Sequence, residues 1–290
     1  MLIARLIAET GTSETRLALL ADALAGEGAR LTGSAMTGDM LELTCEGEEG
    51  AVLAAIDTVF APADMLVARG PIKVPELFVS DMDSTMIGQE CIDELADYED
   101  LKPQIAAITE RAMLGELDFE AALRERVALL AGLDEGAIHA CLAERITATP
   151  GAATLVATLA AMGTRTVLVT GGFHHFADPV AEMLGFHRVV GNRLGVEGGR
   201  LTGGLIGPIT DSAVKAAVLR EELGVLGEGA HSLATGDGAN DIPMIEAATY
   251  GFAYRAKPKA RAAANGRIDR GDLTAVLQLL GVPRDQWHER

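Results

Sequence analysis

The sequence is short of positive charge. Lysine and arginine together number 24 against 42 aspartates and glutamates, for a net charge of −18 over 290 residues. Nucleic acid and anionic membranes both need a positive surface, so this balance argues against either as a partner. A substrate bearing phosphate would be drawn in by local cations and metal, against an unfavourable overall field. Cysteine is scarce as well. Cys45, Cys91 and Cys141 lie far apart and match no metal or redox spacing, which leaves reduced, partly buried thiols. Long apolar runs are also missing. Arg165 splits the best candidate, and nothing approaches the roughly 18 uninterrupted apolar residues of a membrane span. Residues 1–8 begin like a targeting segment, but Arg5 and Glu9 interrupt the run before an adequate apolar core. The expectation is a cytoplasmic protein. With 49% hydrophobic and 23% charged residues, the chain can form a sizeable core and about two domains.

The chain is organised around Leu77-Phe78-Val79-Ser80-Asp81-Met82-Asp83-Ser84-Thr85-Met86. A short run of β-formers ends abruptly on two aspartates, with two hydroxyl residues behind them. Such runs read as strands buried on both faces of a parallel sheet. Open α/β sheets hold their chemistry in the crevice outside the carboxyl ends of the strands. Side chains alternate along a strand, so Asp83 can point to the side that Asp81 faces. Two carboxylates that close repel each other unless a divalent cation or a shared proton lies between them. By itself, a D-x-D more often marks a solvated turn after a core strand.

Other strand ends carry matching chemistry. Thr166 to Val169 reads as a second buried strand, ending in Thr170-Gly171-Gly172-Phe173, a hydroxyl followed by bare amides that suit an anion. Turns also produce Thr-Gly-Gly readily. Ser232 to Thr235 is a third strand, ending in the far less common Gly236-Asp237-Gly238-Ala239-Asn240-Asp241. Asp237 and Asp241 offer hard oxygens of the kind Mg²⁺ prefers. Asp211 or Ser212 caps a helix running to Leu223, which puts Lys215 in the first turn against the helix dipole. A solvated lysine tolerates that position, and a nearby anionic ligand would explain it. Tyr250 to Tyr254 is a further strand, Leu273 to Leu280 is a closing helix, and the basic residues from Arg255 to Arg270 read as solvated surface near the rim of the site.

The first part of the chain has a different order. A strand over residues 2–9, a helix from Ser13 to Ala25, a hairpin from Leu31–Met36 and Met40–Cys45, a helix from Glu48 to Phe60 and a strand from Met65 to Ala68 make β-α-β-β-α-β. That is a ferredoxin-like order, and Gly70-Pro71 places a boundary near residue 72, giving domains 1–72 and 73–290. A small domain of this pattern resembles the amino-acid-sensing, ACT-like modules attached to many biosynthetic enzymes. A dimerisation or packing module is the alternative, and a homodimer stays open. Glu90 to Ala148 is almost continuous helical pattern, with breaks near Pro103, Gly115, Gly132 and Gly136. Placed directly after the first core strand, residues 89–148 would form a helical cap over the carboxyl end of the sheet, with the core in 73–88 and 149–290. Glu90, Arg111, Arg124 and Arg126 are candidate contacts in that cap, and pattern alone does not choose among them. Residues 188–207 read as a hairpin extension. The expected fold is α/β: a Rossmann-like three-layer core with a parallel sheet, a helical-bundle cap after its first strand, and an N-terminal ferredoxin-like domain.

The order and distances of D-x-D-S-T, T-G-G, a lone lysine and G-D-G-A-N-D resemble those of the haloacid-dehalogenase superfamily of phosphatases. Asp81 to Ile87 followed by Glu90 is similar to the phosphoserine phosphatases within it. Met113, Phe119 and Arg126 in the cap, Gly171-Gly172-Phe173, and Gly236 to Asp241 are further matches, and the resemblance covers residues 75–290. One departure is visible: Thr170 stands where many members carry serine, keeping the hydroxyl and adding a methyl near the phosphate. The resemblance implies Mg²⁺-dependent hydrolysis of a small molecule, O-phospho-L-serine, as the last step of serine biosynthesis. It implies Asp81 as the nucleophile that forms an aspartyl-phosphate and Asp83 as general acid and base. Asp81, Asp237 and the Asp83 carbonyl would hold the metal, with Asp241 behind them. Thr170, the Gly171 N–H and Lys215 would meet the phosphoryl oxygens, and Asn240 the phosphate or a water. Glu90 and Arg126 would take the substrate's ammonium and carboxylate, the arginine fork suiting a carboxylate, with Met113 and Phe119 completing the binding site. Two alternatives stand beside this. One is a phosphatase or phosphotransferase of the same superfamily acting on another small phosphomonoester. The other is a non-catalytic serine-binding protein that retains the fold, against which the intact set Asp81, Asp83, Lys215 and Asp237 argues.

Overall fold

Alternating burial shapes the start of the chain. The computed structural model describes residues 1–7, 14–113 and 116–289, leaving out the side chains of Tyr98 and Met113. In β1 (Leu2–Ile7), Leu2, Ala4 and Leu6 are buried and the residues between them are half-buried, as in a sheet with one packed face. Next come α1 (Glu14–Gly26), β2 (Arg30–Thr37), β3 (Met40–Glu46), α2 (Glu49–Phe60) and β4 (Asp64–Arg69). These strands form the antiparallel order β2-β3-β1-β4, a ferredoxin-like arrangement. Leu20 and Leu24 of α1 and Val52 and Ile56 of α2 close its core. The end of the expected first strand at Glu9 and the expected helix start at Ser13 lie outside the described residues.

Past Gly70-Pro71 the strands become apolar on both faces. The elements are β5 (Leu77–Ser80), then the cap helices α3 (Cys91–Tyr98), α4 (Lys102–Met113), α5 (Phe119–Ala128) and α6 (Glu135–Arg145). The core resumes with α7 (Ala152–Ala161), β6 (Arg165–Phe173), α8 (His174–Leu184), β7 (Arg188–Glu197), β8 (Arg200–Ile206) and α9 (Ser212–Leu226). It finishes with β9 (Ser232–Gly236), α10 (Ile242–Ala247), β10 (Tyr250–Tyr254), α11 (Pro258–Ala263), β11 (Gly266–Ile268) and α12 (Thr274–Leu280). Six parallel strands lie in the order β7-β6-β5-β9-β10-β11. This is the doubly wound order whose direction of progress reverses between β5 and β9, and such a reversal opens a crevice at the strands' carboxyl ends. Phe78, Leu168, Leu233 and Phe252 pack one face against α7, α8 and α12. Leu77, Val79, Val167 and Val169 pack the other against Val218 and Leu219 of α9 and Met244 of α10. The result is three layers.

The sheet continues across the boundary expected near residue 72. β4 pairs antiparallel with β11, Leu66 opposite Gly266 and Met65 opposite Arg267, so one 11-stranded sheet runs through the molecule. Leu66 and Ala68 join the main core. Asp57 on α2 receives two bonds from Arg261, at 2.8 and 2.9 Å, and a third from Arg267, while Asp269 holds Arg261 from the other side at 2.7 Å. Burial alone would push the Asp57 carboxyl up, but the two guanidiniums bring it below its usual range. Asp64 accepts the N–H groups of Asp269, Arg270 and Gly271, each at 2.8 Å. The arginines expected on solvated surface are therefore a seam: Arg261 and Arg267 are drawn in because Asp57 lies opposite.

The cap leaves and re-enters the core through adjoining segments. Ile87 bridges Ala148, Thr149 N–H donates to the Met86 carbonyl at 2.9 Å, and Gly88 N–H to the Thr147 carbonyl at 3.2 Å. On its other side, Gly132 N–H donates to the Leu201 carbonyl and Leu201 N–H to that of Leu133, both at 2.8 Å, fastening the loop after α5 to β8. The helices break at 99–101 and 129–134, near Pro103, Gly132 and Gly136 as expected, with Pro103 and Gly136 in the first turns of the helices that follow, α4 and α6. Gly115 is outside the described residues. Among the described residues, no helix is long and apolar enough to cross a membrane.

Candidate active site

Asp81 follows β5 and Asp237 follows β9, the two strands that flank the reversal. Their ends are tied together. Asp81 N–H donates to the Thr235 carbonyl at 3.0 Å, and the Ser80 and Thr235 hydroxyls lie 2.7 Å apart. Asp81, Asp237 and Asp241 each bring one oxygen within 4.8 Å of the others. Lys215, only 1% exposed, places its ammonium 2.7 Å from Oδ1 of both Asp81 and Asp241. Burial alone would push that ammonium down, and the two carboxylates more than reverse it, so Lys215 stays charged. Asp211 caps α9 by accepting Val214 N–H at 2.9 Å, which fixes the turn that carries Lys215.

The three carboxylates differ in what they already hold. Oδ2 of Asp241 accepts the N–H groups of Asp237 and Gly238, at 3.1 and 3.0 Å, so both its oxygens are committed within the protein. Gly236 allows this closeness, since a Cβ there would lie 2.5 Å from Asp241. On Asp81, Oδ1 takes Met82 N–H at 2.7 Å together with Lys215, and no bond reaches Oδ2 among the described residues. Burial pushes the Asp81 carboxyl up against the pull of Lys215, and Asp241 adds to the rise. Burial raises Asp237 too. A buried set of hard oxygens, short of positive charge, fits a small divalent cation of the Mg²⁺ type.

Beyond Asp81 the chain folds on itself. The Met82 carbonyl accepts the N–H groups of Thr85, Met86 and Ile87 at 3.2, 2.8 and 3.1 Å. Ser84 takes a left-handed conformation, φ 55°, a strain of order 1 kcal/mol for a residue other than glycine. Its hydroxyl donates to Glu90 Oε1 at 2.8 Å, which anchors the start of the cap. This turn sets Asp83 beside Asp81. Oδ1 of Asp83 is buried with no hydrogen-bond partner among the described residues. Burial, helped by Glu90, pushes its carboxyl up to about 7, where it can hold or release a proton near neutrality.

The Thr-Gly-Gly loop completes the floor. β6 was expected to end at Val169. Instead it continues to Phe173, with its pairing to β7 lapsing after Val169 and resuming at Phe173 opposite Asn192. Thr170 to Gly172 thus bulge out of the ladder toward the crevice. The Thr170 hydroxyl accepts Gly172 N–H at 2.9 Å. A Cβ on Gly172 would come 3.2 Å from Asp83 Oδ2, so the bare backbone is what lets loop and acid meet. Asn192, buried on β7, donates to the Gly171 carbonyl at 2.7 Å and accepts Thr210 N–H at 2.9 Å. Sequence reasoning missed Asn192. Its signal was a polar residue close behind the apolar pair Val189-Val190, the same strand-end grammar as at Asp81, hidden in a stretch read as a hairpin.

A cavity of about 240 Å³ lies between floor and cap, smaller than the roughly 300 Å³ at which drug-sized pockets begin, so it suits a small metabolite. Asp81, Asp83, Thr170, Gly171, Asp237 and Asn240 line it from the core, and Glu90, Phe119 and Arg126 from the cap. Lys215 and Asp241 lie beneath. Phe119 is 42% exposed and stands over Gly171. Arg126 donates from Nε to the Ala122 carbonyl at 3.3 Å and forms no ion pair among the described residues. Arg111 and Arg124 turn away, to Glu125 at 2.6 Å and Glu120 at 2.7 Å. The Met113 side chain lies outside the described residues. Lys257, read from sequence as solvated surface near the rim of the site, lines the cavity.

A model of the haloacid dehalogenase-like hydrolase family matches residues 78–246. A phosphoserine phosphatase of Albidiferax ferrireducens is 42% identical over 233 residues, covering 77% of this chain and 98% of that protein. A phosphoserine phosphatase of Streptomyces coelicolor is also 42% identical, over 74% of this chain, which spans about half (52%) of that protein's length. Among solved structures, a HAD family hydrolase from Salmonella enterica subsp. enterica serovar Typhi matches with a TM-score of 0.81 at 26% identity, over 97% of this chain and 99% of that one.

Proposed function

We propose that this chain, which belongs to the haloacid dehalogenase-like hydrolase family, hydrolyses O-phospho-L-serine to L-serine and phosphate. The reaction is the last step of serine biosynthesis, runs in the cytoplasm, uses Mg²⁺ and passes through an aspartyl-phosphate on Asp81. The observation that carries this reading is a single cavity with Asp81 and Asp83 on its floor and Glu90 and Arg126 opposite in the cap. It has a nucleophile and an acid for the ester, and one charge of each sign for the two ends of an amino acid.

Mg²⁺ would be held by Asp81, Asp237 and the Asp83 carbonyl, and when bound it supplies the positive charge that lets an anionic nucleophile meet an anionic phosphate. Asp81 attacks phosphorus with its uncommitted Oδ2. As the bond from phosphorus to the serine oxygen breaks, Asp83 gives that oxygen its proton and L-serine leaves. Asp83, now a carboxylate, takes a proton from water, whose oxygen attacks phosphorus. The bond to Asp81 breaks, and phosphate departs. Lys215, the Thr170 hydroxyl and the Gly171 N–H receive the phosphoryl oxygens, where positioning and electrostatics supply most of the rate. Asn240 faces the phosphate or the water. Arg126 takes the substrate carboxylate as a fork and Glu90 its ammonium, with Phe119 walling the cavity from water.

The test is phosphate release from a panel of phosphomonoesters, with and without Mg²⁺. Phosphoserine should be strongly preferred over sugar phosphates and phosphocholine. Activity should vanish in chelator and return with Mg²⁺, and Ca²⁺ should replace it poorly because of its looser, higher coordination. Equal turnover of phosphoserine and a sugar phosphate, or full activity in excess chelator, overturns the reading.

A further inference from the structure

Among the described residues, the cavity holds one cation with no part in the steps above. Lys257 immediately precedes α11, and its backbone is pinned. Its N–H donates to the Asp237 carbonyl at 2.9 Å, and its own carbonyl accepts Arg261 N–H at 3.0 Å. Arg261 is itself locked between Asp57 and Asp269. The side chain is held far more loosely. It is 70% exposed, and its ammonium stands 3.5 Å from Asp237 Oδ2, beyond the usual span of a hydrogen bond.

The charges around it are unbalanced. Asp81, Asp83, Glu90 and Asp237 line the cavity against Arg126 and Lys257. Lys215 is buried against two carboxylates, and Arg126 belongs to the cap. Of the cavity's cations, Lys257 has the exposed, loosely held ammonium on the core side. A divalent ion on Asp237 would repel an ammonium so close and remove the charge that keeps it there. A phosphate dianion entering the same crevice, in a chain of net charge −18, offers that ammonium a new partner.

We propose that Lys257 is an exchangeable counter-ion of the phosphate site: it pairs with Asp237 while no metal is bound, and turns its ammonium to the incoming phosphate once Mg²⁺ has taken that carboxylate. The inference rests on the metal-and-phosphate part of the phosphatase reading and not on which amino acid the ester carries.

The test compares the full chain with Lys257→Ala and Lys257→Arg. Calorimetry measures Mg²⁺ binding alone, then inorganic phosphate binding in saturating Mg²⁺, and steady-state kinetics follow phosphoserine as salt is raised. Lys257→Ala should bind Mg²⁺ about two- to fivefold more tightly, the range expected on removing a competing exposed ion pair. It should bind phosphate about three- to tenfold more weakly. Its KM should rise while kcat holds, and the gap from the parent chain should narrow with ionic strength. Lys257→Arg should restore phosphate binding. If Lys257→Ala weakens both ligands together, the side chain merely holds Asp237 in place and the proposal fails. It fails equally if neither affinity changes. Neither titration involves turnover, so a chain that leaves phosphoserine intact yet shows the opposed shifts keeps this inference and loses only the substrate assignment.

Discussion

Asp81 and Asp241 are both buried beside Lys215, yet only one of them can be a nucleophile. Asp241 has each oxygen bonded within the protein, while Asp81 keeps Oδ2 clear among the described residues. Asp81→Asn should lower turnover about a thousandfold or more and leave the fold intact, because Lys215 retains Asp241. Rapid-quench mapping of the parent chain should find acid-labile phosphate on Asp81. Phosphate on a serine or histidine would refute the assignment. Arg126 lines the cap side of the cavity, where the proposed mechanism has it meet the other end of the substrate. A charged hydrogen bond is worth roughly 1.5–3 kcal/mol, so Arg126→Ala should reduce kcat/KM for phosphoserine about tenfold to a hundredfold. Phosphoethanolamine, which lacks the carboxylate, should be hydrolysed nearly as before. An unchanged ratio of the two kcat/KM values would mean that the carboxylate is read elsewhere.

At the scale of elements, the site depends on strand ends that are tied together before any ligand arrives. The bulge at Thr170–Gly172 interrupts the β6–β7 ladder, and Asn192 restores order from behind by bonding both Gly171 and Thr210. Asn192→Ala would leave a half-buried carbonyl and a buried N–H unpaired, at about 1–3 kcal/mol each. For a chain of this size that corresponds to a fall in Tm of about 3–10 °C. The loosened loop should also lower kcat about tenfold for phosphoserine and phosphoethanolamine alike, since in the proposed mechanism it serves the phosphate and not the amino acid. An unaltered Tm and kcat would show that the bulge needs no support. The cap is similarly fixed: backbone bonds join the loop after α5 to β8, so the cavity wall carrying Arg126 is anchored on the core side.

At the scale of the molecule, the N-terminal sheet and the parallel core are one sheet joined at β4 and β11. A chain beginning near Pro71 would expose the edge of β11, strip Leu66 and Ala68 from the core, and leave Arg261 and Arg267 without Asp57. Arg261 would keep Asp269, but Arg267 would lose its carboxylate; an unpaired buried charge and an open edge strand each destabilise, and the edge invites aggregation. The shortened chain should melt about 10 °C or more below the full one and aggregate at concentrations where the full chain does not. Scanning calorimetry and light scattering would settle it, and melting within about 3 °C with no aggregation would show the first domain to be dispensable. The same seam reaches the site, because Arg261 donates to the Lys257 carbonyl and Lys257 to that of Asp237.

The amino-acid sequence alone determined which polar side chains stand behind the buried strands of the crevice. Asp81 with Asp83, Thr170 with Gly171, and Asp237 with Asp241 each fall within a few residues of one another behind a buried apolar run. Local pattern suffices there, because burial on both faces and an abrupt polar end leave few other structures for such a segment. The βαββαβ order and the helical cap were legible from local pattern as well, through strand and helix periodicity and turn residues. What lay beyond reach depends on which edges meet. Asp57 and Arg261 are 204 residues apart, and Asn192 reaches a carbonyl 21 residues away. A basic run reads alike whether it faces water or a carboxylate from another layer, and an asparagine in a glycine-rich hairpin reads like a turn. Only the pairing of β4 with β11 brought Asp57 against Arg261 and Arg267, and only the packing of the loop after β10 against the end of β9 made Lys257 part of the site: long-range contacts leave little trace in the short-range pattern from which a sequence is read.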